Sequence, residues 1–474
     1  MFLYKKISLS DNQKAIFWSF FEKVGSFIAN FILEIILARL LLPDDFAVLM
    51  MLVIFISVSQ VFIDGGFATV LIQKQDCDEI DYNTVFVFNV LISIAFYILF
   101  YGLAPYIESF YNFNGLALVI RIYFLTLIIN AISMINRLLL IKCLRFNTIA
   151  KINTSAILLA AIPTIILAYL GFGYWTLVCQ NLVTTLLMTI GYIISSKWTP
   201  SFKFSWNSLR AMFPFGFKVF IVDLFYSIYN NLYSLLIGKR YSPNDLGYYD
   251  RGKVLGSMGP IGFSDFFMRA LYPIQSKMNS NEDLERSYNR AFECSALLII
   301  PISVFVSMFS EETIFILYGN NWLSAAAYTS IMSIGFVLYP FHSLNTNMLK
   351  VKARGDYLLK SELIKKILGI TIAFLLIRYE LYVLLVGWLI STWIDFIISE
   401  IYLYKSFSFS LKKSLKSFMS VGFISIFLSS LLKILVSIWI HDKVLVFLLS
   451  AAVFCLVYMV IFRKKLLRIL FNRS

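Results

Sequence analysis

The chain of 474 residues has few charges, since Asp, Glu, Lys and Arg make up only 14% of it. A soluble globular protein carries about 25% of such residues. The formal net charge is nevertheless +14, but the basic residues lie at the ends of apolar segments and form no basic domain. This composition argues against a sizeable soluble domain and against a nucleic-acid-binding protein.

Residues that hold metals or form disulfides are also scarce. The two histidines, His342 and His441, are too few and too far apart in sequence for a metal cluster. No Walker motif or nucleophile elbow is present. We therefore predict no cofactor, no metal and no catalytic residue. The five cysteines form no CxxC pair and predict no disulfide framework; they are Cys77, Cys143, Cys179, Cys294 and Cys455.

Apolar runs fill the sequence instead, with 59% hydrophobic residues and a mean hydropathy of +0.79. A helix that crosses a bilayer needs about 20 apolar residues, and we count about 14 such runs. Their backbone must be helical in hydrocarbon, so the fold class is an all-α integral membrane protein. The first run is interrupted by Glu22 and Lys23 and does not resemble a cleaved signal peptide. The predicted spans are residues 14–41, 47–70, 83–104, 116–141, 149–170, 174–196, 211–237, 246–275, 288–310, 323–349, 357–377, 381–404, 415–440 and 444–462.

The basic residues indicate the orientation of these spans. Most of them fall on alternate links, as in the segment from Lys350 to Lys366. Basic links stay cytoplasmic, so both termini are predicted to lie in the cytoplasm. The opposite side holds a small set, namely Arg39, Lys239, Arg240, Arg378 and Lys443.

A short motif occurs twice, about 200 residues apart. Residues 42–47 read Leu-Pro-Asp-Asp-Phe-Ala, and residues 242–247 read Ser-Pro-Asn-Asp-Leu-Gly. The pair Tyr82-Asn83 likewise matches Tyr288-Asn289. One interpretation is that Pro-Asp merely starts a helix. The shared register favours an internal repeat, with six-helix bundles at 1–200 and 201–405 and two further helices at 406–474. Transporters with such repeats bind substrate between the halves.

The runs Leu40–Ala47, Asp64–Ala68 and Leu71–Gln73 resemble those of Wzx-type polysaccharide flippases, in the branch with colanic-acid and teichuronic-acid exporters. These proteins belong to the multidrug/oligosaccharidyl-lipid/polysaccharide exporter superfamily. The resemblance implies two six-helix bundles around a central cavity, alternating access, and a location in the bacterial inner membrane. It further implies an undecaprenyl-diphosphate-linked oligosaccharide as cargo, for lipopolysaccharide, O-antigen or exopolysaccharide synthesis.

The same resemblance suggests partners and a role for the last two helices. A polysaccharide polymerase and a chain-length regulator are candidate partners beside the lipid bilayer. Some relatives, including lipid II flippases, carry two extra C-terminal helices that help to form a lipid groove.

Cations within the spans are candidates for binding a diphosphate, because guanidinium and ammonium groups suit phosphate. Arg251 has no obvious local partner in the sequence, whereas Arg269 could pair with Asp265 at the i, i+4 spacing. Simple ion pairing, interfacial anchoring and snorkelling of Lys218 are the alternative interpretations. The predicted diphosphate clamp consists of Lys23, Arg251, Arg269 and Lys218.

Other polar residues in the spans suggest sugar contacts and ion coupling. Intramembrane polar groups usually face a bundle interior or a watery cavity. Asn30, Asn230, Asn231 and Tyr226 are the candidates for lining a sugar site. A buried carboxylate can bind a proton or Na⁺, although pairing with nearby cations is an alternative. The candidate coupling carboxylates are Glu22, Glu34, Asp64 and Asp223.

Four other classes of protein stay open at this stage. A membrane polysaccharide polymerase or glycosyltransferase usually needs a substantial outer loop, whereas the link at residues 171–174 is very short. A multidrug exporter and a lipid II flippase of the same superfamily would share the pattern of spans. A purely structural scaffold would not need polar stripes in repeat-related helices.

Overall fold

The computed structural model describes residues 9–74, 76–278, 280–352, 354–407, 412–440 and 442–471, with side chains from residue 25 onward except those of 412–414, 464 and 466–471. Within these residues the chain forms eighteen α-helices and one 3₁₀ turn, Asn320–Trp322, and no strand. The helices are α1 Leu9–Leu40, α2 Pro43–Asp64, α3 Phe67–Gln73, α4 Glu79–Tyr111, α5 Leu116–Tyr123, α6 Leu125–Lys142, α7 Phe146–Tyr169, α8 Tyr174–Ser196, α9 Trp206–Arg240, α10 Pro243–Gln275, α11 Asn281–Met308, α12 Ser310–Tyr318, α13 Ala325–Phe336, α14 Tyr339–Val351, α15 Gly355–Leu376, α16 Leu381–Phe407, α17 Lys412–Trp439 and α18 Lys443–Phe471.

The predicted all-α membrane fold is confirmed. Ten segments in the described part of the chain are long and apolar enough to cross a bilayer. Helices α1, α10 and α15, and the pair α13 and α14, lie at the remaining predicted spans, so the count of about 14 holds.

Some helix boundaries differ from the prediction for local reasons. The span predicted at 47–70 ends at Asp64, because Gly65 and Gly66 adopt left-handed backbone angles (φ 54° and 73°). The span predicted at 116–141 is interrupted at Phe124, between α5 and α6. The span predicted at 323–349 is likewise split into α13 and α14, and the short helices α3 and α12 were not predicted.

The repeated Pro-Asp motif begins a helix in both places. The Asp45 carboxylate accepts a hydrogen bond from the Leu42 backbone N–H at 2.9 Å. The Asp245 carboxylate accepts one from the Ser242 N–H at 3.3 Å. A proline at the first helical position and an acidic residue in the first turn stabilise both N-termini. In both copies the motif thus starts a helix, and its acidic side chain accepts a hydrogen bond from the backbone N–H three residues earlier.

The chain divides into two compact units, Met1–Gly247 and Tyr248–Ser474. In the first unit α1 packs against α7, and α9 packs against α2 and α4. The link between α8 and α9 is hydrogen-bonded to α4, because Asn83 Oδ1 accepts from Ser201 N–H at 2.7 Å and Thr84 Oγ1 from Ser205 N–H at 3.1 Å. These bonds hold α9 in the first unit. The predicted bundle boundaries at 200 and 405 stay a prediction.

The second unit includes the two C-terminal helices. Helix α17 packs along α11, and the buried core joins residues of both, such as Phe292 and Val421. The Tyr458 hydroxyl donates to the Leu297 carbonyl at 2.9 Å, and Lys433 Nζ donates to the Met308 carbonyl at 2.6 Å. These bonds fasten α17 and α18 to α11, so the C-terminal pair is an integral part of this unit.

Candidate functional site

The turn between α2 and α3 packs against α9 at Gly216. A Cβ placed on Gly66 would lie 2.2 Å from the Gly216 carbonyl oxygen, so the two backbones touch where each has a glycine. The rings of Phe62 and Phe220 meet edge to face at 4.9 Å between centroids. Glycine at both positions therefore allows α9 to lie close to the end of α2.

Two of the predicted coupling carboxylates lie beside this contact. Asp64 is the last residue of α2, is half-buried, and accepts the Ala68 N–H at 3.2 Å with Oδ1. Its carboxylate interacts electrostatically with that of Asp223, which is exposed on α9. Like charges repel at short range. A cation or a proton bound between them would relieve this repulsion.

One face of α9 is exposed and carries polar residues beside apolar ones such as Val222. Lys218 and Asn230 are both exposed, and Tyr226 is 60% exposed. At about 100° per residue these three positions fall within a sector of roughly 120°. Asn231 is half-buried on a different side and donates to the Ser227 carbonyl at 2.9 Å. Three of the four predicted residues on this helix are thus accessible together with Asp223.

The polar stripe of α1 is described only in part. Asn30 is exposed and Glu34 is half-buried. Helix α1 packs on α7, where a Cβ on Gly25 would lie 3.7 Å from Thr154 Oγ1. The side chains of Glu22 and Lys23 lie outside the described residues, and their roles stay predictions.

The structure corrects one premise about Arg251. No local partner of Arg251 was evident in the sequence, but the preceding residue, Asp250, binds its guanidinium group. Asp250 Oδ2 accepts from Nε at 2.9 Å and from Nη2 at 2.6 Å, and both residues are at most 6% exposed. The pairing was overlooked because adjacent residues on a helix normally point in different directions.

Close packing of α10 explains why Arg251 is buried. A Cβ on Gly252 would lie 2.9 Å from the Thr329 nitrogen, and one on Gly256 would lie 2.7 Å from Met332 Cβ. Both neighbours belong to α13. The two glycines thus let α10 lie against α13, which covers the ion pair.

Arg269 is placed differently from Arg251. Both Arg269 and Asp265 are exposed on the later part of α10. Their pairing at the i, i+4 spacing stays a prediction. Of the two arginines in the predicted clamp, Arg269 is therefore the accessible one.

A charged network in the second unit was not predicted. Lys365 Nζ lies 2.9 Å from Glu362 Oε1 and 3.2 Å from His342 Nδ1, and Lys366 interacts electrostatically with Asp395. The two lysines were predicted only to lie among the cytoplasmic basic residues. The i, i+3 spacing of Glu362 and Lys365 was the available signal for an ion pair.

A second polar network joins α11, α14 and α16. The Tyr288 hydroxyl lies 2.7 Å from Asn345 Oδ1 and 3.4 Å from Glu400 Oε1. Asn345 Nδ2 donates to Glu400 Oε1 at 2.9 Å and to Ser399 Oγ at 3.3 Å. The four residues are at most 8% exposed. No local sequence spacing indicates this network, because its members come from three separate helices.

Solved structures with this arrangement of helices are membrane transporters. The chain is similar to lipid II flippase MurJ in its inward closed conformation, with a TM-score of 0.75, 16% identity, and coverage of 94% of this chain and 99% of MurJ. It is also similar to an inward-facing multidrug resistance MATE family transporter of the MOP superfamily, with a TM-score of 0.61, 16% identity, and coverage of 81% and 94%. These similarities define the class by fold, a helical membrane protein that shares its arrangement of helices with MurJ and the MATE transporter.

Residues 36–327 match the family model described as "Polysaccharide biosynthesis protein". The chain belongs to this family. The resemblance seen in the sequence to polysaccharide flippases is thereby confirmed at the level of the family.

Individual relatives agree with that assignment. The teichuronic acid biosynthesis protein TuaB of Bacillus subtilis is 24% identical over 63% of this chain, and the succinoglycan biosynthesis transport protein ExoT of Rhizobium meliloti is 22% identical over 65%. The alignments span 62% and 63% of those two proteins. The lipopolysaccharide biosynthesis protein WzxC of Escherichia coli is 22% identical over 72% of this chain and 73% of its own length.

Proposed function

We propose that this protein is a flippase that moves undecaprenyl-diphosphate-linked oligosaccharide units across the bacterial inner membrane for surface polysaccharide synthesis. The observation that carries the proposal is the family match over residues 36–327. Relatives named for teichuronic acid biosynthesis, succinoglycan transport and lipopolysaccharide biosynthesis support it. Their shared feature is a polysaccharide product, which favours a saccharide cargo over a drug.

The exposed face of α9 supports a polar cargo. Lys218 offers an ammonium group for a phosphate, and Tyr226 and Asn230 offer a ring and an amide for a sugar. We propose Lys218 as the candidate diphosphate contact of the first unit and, separately, Arg269 as that of the second unit, because each is exposed. Arg251 is a weaker candidate, since Asp250 already binds its guanidinium group.

Asp64 and Asp223 are our candidates for ion coupling. Their carboxylates interact at the contact between α2 and α9, so one bound proton or Na⁺ would change the repulsion between two helices. We propose that export is driven in this way. The reaction makes and breaks no covalent bond, so the protein is a transporter and not an enzyme.

The proposal is tested by the pool of lipid-linked saccharide in cells that lack the gene. Undecaprenyl-diphosphate-linked units are expected to accumulate at the inner leaflet, and wild-type protein should clear them. Lys218→Ala should clear them about 10- to 100-fold more slowly, since a charged hydrogen bond contributes about 1.5–3 kcal/mol. Lys203→Ala is the matched control, because Lys203 is an exposed lysine in the link before α9.

Other results would identify a different function. An unchanged saccharide pool with altered drug efflux would contradict the proposal and favour a multidrug exporter. Accumulation of lipid II alone would favour a peptidoglycan flippase, and short chains stalled on the outer leaflet would favour a polymerase.

A further inference from the structure

Glu400 is a buried acid in the second unit that the proposed transport function does not use. It lies on α16, and its side chain contacts Tyr288 of α11 and Asn345 of α14. Only 8% of the residue is exposed, and its Oε2 atom has no hydrogen-bond partner. The position is therefore neither solvated nor fully hydrogen-bonded.

Among the described side chains, none with a positive charge pairs with this carboxyl group. Among the described residues, the groups that act on Glu400 are Asn345 and Tyr288, and no lysine or arginine lies within ion-pair distance. On neighbouring α15, Lys365 contacts Glu362 and His342, and Lys366 interacts electrostatically with Asp395. An ionised carboxylate that is buried without a counter-charge is strongly unfavourable.

The hydrogen bonds of the network also favour a neutral, protonated Glu400 over an ionised one. The Tyr288 hydroxyl has one proton and two acceptors, Asn345 Oδ1 at 2.7 Å and Glu400 Oε1 at 3.4 Å. The shorter contact takes that proton. Asn345 uses its two amide hydrogens on Glu400 and Ser399, and the Ser399 hydroxyl donates to Phe396 O at 2.8 Å. The contact between the Tyr288 hydroxyl and Glu400 is therefore a hydrogen bond only if the Glu400 carboxyl group is protonated and donates to the hydroxyl oxygen.

We infer that Glu400 is a proton-binding site of the second unit, occupied in the conformation described here. The neutral acid completes a polar junction of α11, α14 and α16. Release of the proton would place an uncompensated charge in this junction and weaken the packing of the three helices. The site is separate from the candidate pair Asp64 and Asp223, and the inference does not depend on the identity of the cargo.

The test is infrared spectroscopy of the purified full-length protein in lipid nanodiscs at neutral pH. We expect the carbonyl band of a protonated carboxylic acid in the wild type and the loss of one such component in Glu400→Gln. Glu362→Gln is the matched control and should keep the band, because the Lys365 ammonium at 2.9 Å holds Glu362 ionised. The inference is overturned if Glu400→Gln leaves the band unchanged or if Glu362→Gln removes it equally.

The pH dependence of thermal unfolding gives an independent readout. The folded protein holds a proton at Glu400 that the unfolded chain releases at neutral pH, so its stability should fall as the pH rises. Glu400→Gln mimics the neutral acid and should fold, with a melting temperature that falls less between pH 7 and pH 9. Parallel curves for the wild type and Glu400→Gln would refute a bound proton at this position.

Discussion

Three glycine-to-alanine substitutions in the first unit separate backbone strain from steric contact. Gly66 has a φ of 73°, and its added Cβ would lie 2.2 Å from the backbone oxygen of Gly216. Gly171 has a φ of 78°, but nothing lies within 4 Å of its Cβ position. Gly102 lies inside α4 with neither constraint. The three positions therefore form a graded series.

The expected free energies of unfolding follow from these differences. A left-handed backbone costs an alanine about 1–2 kcal/mol, which is the loss expected for Gly171→Ala. Gly66→Ala adds an overpacking cost of about 1–3 kcal/mol, because a backbone oxygen cannot rotate away, and the total loss is about 2–5 kcal/mol. Gly102→Ala should gain about 0.5–1 kcal/mol from higher helix propensity.

Thermal unfolding of each purified variant measures the series. For a unit of this size 1 kcal/mol corresponds to about 2–4 °C, so Gly66→Ala should melt roughly 5–15 °C below the wild type. Gly171→Ala should lie between Gly66→Ala and the wild type. Equal melting temperatures for Gly66→Ala and Gly171→Ala would refute the close contact between the α2–α3 turn and α9.

Three further substitutions test the packing of the second unit. Arg251→Ala should lower the free energy of unfolding by about 3–5 kcal/mol, because it leaves the Asp250 charge buried and unpaired. Adding Asp250→Asn should restore part of this loss in a denaturation assay. A double variant no more stable than Arg251→Ala would contradict the pairing. Tyr458→Phe removes the bond to the Leu297 carbonyl and should cost about 0.5–1.5 kcal/mol, measured by thermal unfolding; an unchanged melting temperature would argue against that bond. Lys433→Met removes the bond to Met308 O and the contact with Glu312 at 3.6 Å, and it should lower the melting temperature. An unchanged melting temperature would show that these contacts do not hold α17.

Features set by local sequence were predictable. Apolar length predicted the spans, and the residues 174–196 were predicted to the residue because Gly173 and Lys197 bound a continuous apolar run. The Pro-Asp motif correctly indicated the start of α2 and α10. Helix type and approximate position follow from such patterns because the bilayer fixes both.

Contacts between distant helices could not be predicted in the same way. Composition gave no reason to join Glu400 to Tyr288 and Asn345, since the three residues are 55 or more positions apart and meet only through tertiary packing. The partner of Arg251 was missed because adjacent residues rarely pair on a helix. The proximity of Asp64 to Asp223 likewise depends on the close packing of α2 on α9.

The most direct test of the proposed function is lipid flipping by the purified protein. An undecaprenyl-diphosphate-linked oligosaccharide is placed in the inner leaflet of proteoliposomes, and its arrival outside is followed with a membrane-impermeant reagent that cleaves or labels the sugar. We expect faster arrival with wild-type protein than in protein-free vesicles. Arrival should be about 10- to 100-fold slower with Lys218→Ala than with the wild type, and Lys203→Ala should keep the wild-type rate. The same rate with and without the protein would contradict the proposal that this chain is an oligosaccharide flippase.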